Sequence, residues 1–397
     1  MDVPLSAPEA LIAVFNAGSS SIKFGLYGAD PKEPLRCRGE IEKLGAEPRL
    51  QVRDADGTVL SERTWPTGGL GHDEATRTIL EMMPALVGGA PIRGVGHRVV
   101  HGGGRFTAPV RIDAAVLKEL ADLVPLAPLH QPHNLAVIRA IGTHAPKMPQ
   151  VASFDTAFHR DQAPIARAFA LPRAWQEAGI RRYGFHGISY EYITTRLREI
   201  APDLASRRLI IAHLGNGASL CAVRDGRSVA TTMGLTALDG LMMGTRPGAI
   251  DPGVILYLMN SRGLNAEAIG NMFYRESGLL GVSGIASDMR TLRASRDPRA
   301  ADAIALFIYR VVREIGSLAA ALGGLDGLVF TAGIGENDPA TRAEIAAGCA
   351  WLGLAVDGDR NQRGKGHIHA GASRIEAWVV PTDEERMIAR HTLALLD

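Results

Sequence analysis

Cysteine is scarce in this 397-residue chain: Cys37, Cys221 and Cys349 are odd in number and widely spaced. That excludes a disulfide framework and suits a reducing compartment. None of the three has a second cysteine at zinc-ribbon spacing, and no HExxH occurs. An excess of charge is also missing. Forty-three Lys plus Arg stand against 42 Asp plus Glu, a net charge of +1. With no whole-protein field, nucleic acid and anionic membranes are excluded as partners, and any bound anion must be caught locally. Nor is there a long apolar run. The longest stretch without Asp, Glu, Lys or Arg, Leu123 to Ile138, holds three prolines and two histidines, which excludes a membrane helix. The opening MDVPLSAPEA is acidic and proline-bearing where an export signal needs a basic start and an apolar stretch, so a cytoplasmic protein is expected.

The length is about two to three times a domain of roughly 150 residues, so two domains are expected. Glycine is plentiful, with 45 residues, and its clusters organise the chain. Leu11 to Phe15 and Ile22 to Tyr27 are apolar runs around the polar turn Asn16-Ala17-Gly18-Ser19-Ser20-Ser21, which reads as strand, turn, strand. Leu209 to Ala212 and Leu220 to Val223 repeat the layout around His213-Leu214-Gly215-Asn216-Gly217-Ala218-Ser219. Gly28 and Gly226, which close the two hairpins, stand 198 residues apart, half the chain, so a duplicated fold is expected. Helical periodicity marks Ala114 to Val124, Tyr190 to Ile200 and Ala301 to Leu322, and alternating strands and helices indicate an α/β protein. A third glycine-rich turn, Gly333 to Asn337, follows an apolar run and precedes a helix with Asp338 as N-cap and Pro339 at its first position.

Asn16 to Lys23 carries small residues, three hydroxyls and one mobile cation, the ingredients of a phosphate cradle. It is not a Walker A loop, because GK[ST] is absent and a strand follows. A solvated serine-rich turn is the alternative. Arg98, in Gly96-His97-Arg98-Val99-Val100-His101, lies inside an apolar run, so it either pairs with a structural carboxylate or grips a substrate anion. Arg246, in Gly244-Thr245-Arg246-Pro247-Gly248, has the same two readings. Asp155 sits between aromatics in Phe154-Asp155-Thr156-Ala157-Phe158-His159, and His186 between Phe185 and Gly187; each is a catalytic group or a satisfied core polar residue. The His130/His133 pair invites a zinc reading, but zinc needs three or four convergent ligands; hard-oxygen ligation of magnesium stays open. Thr382 and Glu385 have capping-box spacing, which leaves Glu384 to face a cation.

The segments NAGSSSIKF, GHRVVHGG, FDTAFH, YGFHGISY, HLGNGASL, MGTRPG, FTAGIGEN and PTDEERMIAR, in this order across almost the whole chain, resemble the acetate kinase family, whose relatives include propionate and butyrate kinases. The resemblance implies the architecture of acetate and sugar kinases, Hsp70 and actin. That architecture is two duplicated ribonuclease-H-like (actin-like ATPase) domains with a central cleft that closes around ATP. It places an N-terminal domain at 1–152, completed by the C-terminal helix 386–397, and a second domain at 153–385 carrying most of the ATP site. The implied reaction is reversible phosphoryl transfer from ATP to acetate, with Mg²⁺, or Mn²⁺ in its place, and a homodimeric enzyme.

Carried over by position, Asn16 and Glu384 hold the metal, and Ser19, Ser21 and Lys23 line the phosphates. His213, Leu214, Gly215, Asn216 and Gly217, then Asp288, Met289 and Arg290, and Gly333, Ile334, Gly335, Glu336 and Asn337 match the ATP-binding segments. Arg98 matches the residue that binds the substrate carboxylate, with Val100, Leu129, Phe185 and Ala237 around the substrate. Asp155 matches the essential acid, His186 and Arg246 the transition-state stabilisers, and His130 a supporting residue. Two departures bear on substrate length: the family usually has a proline within the stretch read here as Gly234 to Leu238, and an acidic residue at Ala249. A small Ala237 leaves room for about one more methylene, so propionate is the alternative substrate. A non-catalytic nucleotide switch would retain the ATP turns but need neither arginine.

Overall fold

In the computed structural model, which describes residues 10–18, 21–29 and 35–397, the run Leu11 to Phe15 is buried end to end within β1 (Leu11–Ala17). A strand covered on both faces needs no polar alternation, which is why this run is continuously apolar. The chain returns antiparallel as β2 (Ile22–Gly28), with Asn16 opposite Lys23. It then meanders outward through β3 (Leu35–Glu42), β4 (Arg49–Asp54) and β5 (Val59–Thr64). On the other side of β1, β6 (Ile92–Val99) is parallel to it. Short β7 (Val110–Arg111) lies antiparallel to β8 (Gln150–Phe154), which itself runs parallel to β6. The resulting order is β5-β4-β3-β2-β1-β6-β8-β7.

The second sheet repeats this plan. β9 (Arg208–Leu214) pairs antiparallel with β10 (Ala218–Arg224), and β10 with β11 (Arg227–Thr231). β12 (Gly327–Thr331) is parallel to β9. Two-residue β13 (Gly366–His367) lies antiparallel to β14 (Glu376–Val379), and β14 is parallel to β12. Outward from β1 and from β9, each sheet has antiparallel partners on one side and, on the other, two parallel strands ended by a short antiparallel one. The recurrence seen in the sequence is therefore a recurrence of topology, and the chain is an α/β protein of two like-built halves.

Contacts divide the chain into two compact units, the described residues up to Ala157 together with Asp383–Asp397, and Phe158–Thr382. Asp155, Glu384 and Glu385 therefore belong to the first unit, whereas the expected divisions at 152/153 and 385/386 set them in the second. The Asp155 N–H donates to the Val99 carbonyl at 3.2 Å, and the last helix begins at Glu384 with Asp383 as its cap. Phe15, Phe24, Leu26, Ile41 and Val52 belong to the core of the first unit, and Tyr190, Ile193, Leu197, Ile211 and Val329 to that of the second.

The helix expected at Ala301 starts earlier, at Pro298, because Asp297 accepts the Arg299 N–H and proline suits the first position. Its buried residues Ile304, Phe307, Val311, Ile315, Leu318 and Leu322 keep the three-and-four spacing of a single face. The helix from Ala114 stops at Asp122, and a 3₁₀ turn, Val124–Leu126, follows, since Pro125 cannot continue the hydrogen-bond ladder. Gly333 to Asn337 is not an open turn. It forms a short helix, Ala332–Asn337, ahead of the helix Pro339–Gly348 that Asp338 caps as expected.

Candidate active site

In the first unit, parallel β1, β6 and β8 bring chemistry to their carboxyl ends, where side chains of open α/β sheets meet ligands. Asn16 is near the end of β1, Arg98 near the end of β6, and Asp155 directly follows β8. The Arg98 guanidinium donates to both Asp155 oxygens, through Nε at 3.1 and 3.2 Å and Nη2 at 2.6 Å, and Nη1 donates to Asn16 Oδ1 at 3.1 Å. Asp155 is 1% exposed and the Arg98 side chain 19%. Burial opposes the charge on Arg98, but Asp155, Glu384 and Glu385 outweigh it and raise its pKa above the ordinary value. Of the two readings of Arg98, the structure thus shows a carboxylate pair. A guanidinium has five N–H groups, so one remains on each terminal nitrogen beyond these bonds.

The same end of the sheet receives the start of the helix Glu384–Ala394. The expected capping box is absent. Asp383, not Thr382, is the N-cap and accepts the Arg386 N–H at 2.9 Å, while Thr382 Oγ1 meets Ser189 Oγ. Glu385 accepts from Asn16 Nδ2 at 3.2 Å instead of folding back on a cap. Burial pushes the Glu384 carboxyl up to about 7; Asp155 and Glu385 push the same way, and Arg98 and Lys23 oppose them. A buried acid held in this state is short of positive charge.

The turn after β1 is held from below by residues absent from the sequence reading. Asn134, 2% exposed, donates to the Ala17 carbonyl at 2.7 Å and accepts the Val100 N–H at 3.0 Å. His72 Nε2 meets the Gly18 carbonyl at 2.8 Å. Gln131 accepts the His101 N–H and donates to the carbonyls of His101 and Leu120. Gln131 and Asn134 are one helical turn apart, and this polar spacing in a segment without charge was the available signal. His130 is the N-cap of their helix, Gln131–His144, whereas His133 stacks on His72 with ring centroids 4.1 Å apart. Among the described residues no group of three His, Cys, Asp or Glu is gathered to hold a metal ion. Ser21 accepts the Gly18 N–H through its carbonyl, Lys23 is exposed on β2, Val100 is buried and Leu129 partly buried; Ser19 lies outside the described residues.

In the second unit, His186 is the N-cap of the helix Gly187–Ile200, with φ +58°, which is why that helix begins before Tyr190. Phe185 is buried, and its carbonyl meets His159 Nε2 at 3.0 Å. Burial pushes the His159 ring down to about 4, so it is a neutral structural group at pH 7. The His186 ring stacks on His213, 4.1 Å away at 17°, and its Nδ1 is 2.8 Å from Ser219 Oγ. The hairpin β9–β10 sets Ser219 opposite His213 and closes through the Gly215 N–H to the Gly217 carbonyl at 3.0 Å. Arg246 Nη1 donates to the Ala237 carbonyl at 2.7 Å. Gly217 explains why this turn must be bare: a Cβ there would lie 2.9 Å from Arg246 Nη2 and 3.1 Å from His186 Nε2. The arginine and the imidazole are therefore brought to one point, beside the Asn216–Gly217 turn.

The remaining expected ATP segments are accounted for less uniformly. Ala332 has φ +64°, and Glu336 accepts the N–H groups of Ala332 and Thr382 at 2.8 and 3.1 Å, so that carboxylate has a structural duty. Buried Arg342 donates to the carbonyls of Gly335 and Glu336, both at 2.9 Å, which holds the segment rigid from beneath. Gly333 and Asn337 are exposed, and Ile334 is partly so. Asp288 caps the helix Met289–Ala294 by accepting the Thr291 N–H, a bond that holds its pKa below the ordinary value; Met289 is buried and Arg290 exposed.

Known proteins resemble this one over nearly the whole chain. Residues 11–390 match the acetokinase family. The chain is 51% identical over 393 residues to the acetate kinase of Rhodopseudomonas palustris (strain ATCC BAA-98 / CGA009), covering 98% of each. Its structure is similar to that of Porphyromonas gingivalis acetate kinase, with 37% identity, a TM-score of 0.86 and coverage of 98% and 100%. It is also similar to a propionate kinase from Francisella tularensis subsp. tularensis SCHU S4, with 35% identity, a TM-score of 0.88 and coverage of 96% and 98%. The chain belongs to the acetokinase family.

Proposed function

We propose that the protein catalyses reversible phosphoryl transfer from ATP to acetate, giving ADP and acetyl phosphate. The observation that carries this reading is Arg98, a guanidinium fixed by Asp155 and Asn16 at the carboxyl ends of parallel strands, with N–H groups left over for a substrate carboxylate. Phosphoryl transfer asks a protein mainly to position reactants and to neutralise charge on the moving group. Acetate is already a nucleophile at pH 7, so no general base is required. Asp155, closed in a bidentate pair, serves here as the counter-ion that aims Arg98. Arg246 and His186 are proposed to stabilise the transferring phosphoryl group. Ser19, Ser21, Lys23, the Asn216–Gly217 turn, Asp288 to Arg290 and Gly333 to Asn337 are proposed to bind the nucleotide.

Magnesium, with manganese as a substitute, would be held by Asn16 and Glu384, and its remaining positions would go to water and phosphate oxygens, the usual mode for this ion. The residues fit it. Glu384 is a carboxylate whose burial calls for a cation, and Asn16 Oδ1 has a second lone pair beyond its bond from Arg98. When bound, the ion would neutralise phosphate charge.

Substrate length is proposed to depend on Ala237, whose carbonyl anchors Arg246. Hydroxamate trapping of the acyl phosphate formed from ATP, Mg²⁺ and a panel of carboxylates tests both the reaction and its range. Acetate should react, with propionate within about tenfold in kcat/KM, since one buried methylene is worth about 0.8 kcal/mol, nearly fourfold. Ala237→Pro should narrow the range toward acetate. No acyl phosphate from any acid would refute the activity, and an unchanged range in Ala237→Pro would refute the role of Ala237.

We also propose a cytoplasmic homodimer. The helix Pro252–Arg262 has no buried residue, yet it carries Val254, Leu256, Tyr257 and Met259, with Leu256 60% exposed. An apolar surface of this kind is what a second copy covers. Among the described residues no helix is long and apolar enough to cross a membrane. Light scattering should give twice the chain mass, and Leu256→Glu should halve it; a monomeric mass for the unaltered protein would dismiss the dimer.

A further inference from the structure

Ser219 Oγ lies between two partners, His186 Nδ1 at 2.8 Å and the Tyr190 hydroxyl in a short contact. All three groups are nine-tenths or more buried. A hydroxyl has one proton and two acceptor lone pairs, so Ser219 places its own proton within this trio only by donating to one neighbour while it accepts from the other. A phenol is the stronger donor and the weaker acceptor of the two hydroxyl types. The favoured order therefore runs from Tyr190 O–H to Ser219 Oγ, and from Ser219 O–H to His186 Nδ1. A ring nitrogen that accepts carries no proton, and the imidazole proton then sits on Nε2.

We propose that Ser219, oriented by Tyr190, is a positioning residue that selects the Nε2–H form of His186 and so presents an N–H donor beside Arg246. The inference rests on the proposed role of His186 in phosphoryl transfer. Its direction is given by Gly217, whose missing Cβ would touch both His186 Nε2 and Arg246 Nη2. A second, parallel arrangement supports it. His213 Nδ1 lies 2.9 Å from Ser189 Oγ, and that hydroxyl is 2.9 Å from Thr382 Oγ1. With the two rings stacked at 4.1 Å, and with Arg246 alongside one of them, a doubly cationic pair is disfavoured by like-charge repulsion. Hydroxyls that donate to both Nδ1 atoms direct both ring N–H groups to Nε2. The sequence makes this possible twice over. Ser189 and Tyr190 follow His186 by three and four residues on one helix face, and Ser219 faces His213 across the hairpin.

The test combines kinetics with ¹⁵N NMR of histidine-labelled protein, in which His186→Ala assigns the ring. The unaltered protein should show His186 with Nδ1 unprotonated and Nε2 protonated. Ser219→Ala should let the proton redistribute and should lower kcat by roughly ten- to a hundredfold, the loss typical when the hydrogen-bond partner that orients a metal-bound imidazole is removed. KM for both substrates should change by less than about threefold, because the loss falls on the transition state. Ser219→Thr, which restores the hydroxyl, should recover both the spectrum and the rate. Tyr190→Phe keeps the Ser219 hydroxyl and should fall between the two; it also serves if Ser219→Ala does not fold. A protonated Nδ1 in the unaltered protein, or an unchanged spectrum in Ser219→Ala, would overturn the inference. Full activity in His186→Ala would instead overturn the role of His186, and the spectra would still decide the proton order.

Discussion

Arg98→Ala is expected to lower kcat by at least about 10² and to raise the KM for the carboxylate, because the variant loses both a substrate contact and charge stabilisation in a water-poor site. The structure adds a second cost. Asp155 is 1% exposed and has Arg98 as its ion-pair partner, so the variant leaves a buried carboxylate uncompensated beside Glu384. Breaking such a pair from one side typically costs about 3–5 kcal/mol, so the urea midpoint should fall markedly. Arg98→Lys should restore part of the stability but little of the rate, since an ammonium cannot reproduce the fork that spans Asp155 and reaches Asn16. Turnover within about threefold of the unaltered enzyme, measured on folded Arg98→Ala, would show that Arg98 serves the fold alone.

Arg246→Ala should produce a loss of similar size in kcat with a different stability signature. Arginines aimed at a transferring phosphoryl group are worth about 10³–10⁵ in rate. Arg246 donates to a backbone carbonyl, that of Ala237, and is half-buried. The bond to the Ala237 carbonyl is itself worth about 1 kcal/mol, the usual worth of one hydrogen bond, well below the cost of stranding a buried acid. A fall in kcat with a near-constant melting temperature would separate it from Arg98, and a folded variant with unimpaired kcat would exclude it from the chemistry.

Both hairpins were legible in the sequence because each is a local object, two apolar runs around a turn of small residues. Arg98 and Arg246 were legible as unusual, an arginine in an apolar strand and another between glycines. What each touches was not. Asp155 is 57 residues from Arg98, and only the parallel pairing of β6 with β8 brings them together. The cap of the last helix was misread for a related reason: Thr382 and Asp383 are both good capping types, and distant bonds decide between them. Thr382 is taken by Ser189, while Tyr27 donates to Asp383 at 3.2 Å. The short helix Ala332–Asn337 escaped notice because its glycines read as a turn. It is completed by Glu336, which reaches back to the Ala332 N–H and across to the Thr382 N–H.

The last helix has a consequence for biosynthesis. It lies over β6 where Gly94 and Gly96 leave room for Leu396, Ile388 and Thr392, and His391 meets Ser153 on β8. A ribosome makes β1 to β8 first and must then translate all of Phe158–Thr382 before residues 383–397 exist. At about 5–20 residues per second, that is a wait of roughly 10–45 s. Throughout it the nascent first unit has bare glycines where its closing helix belongs, and it lacks both Glu384 and Glu385. The second unit, unbroken in sequence, can fold as it emerges, so the half made first is the half finished last.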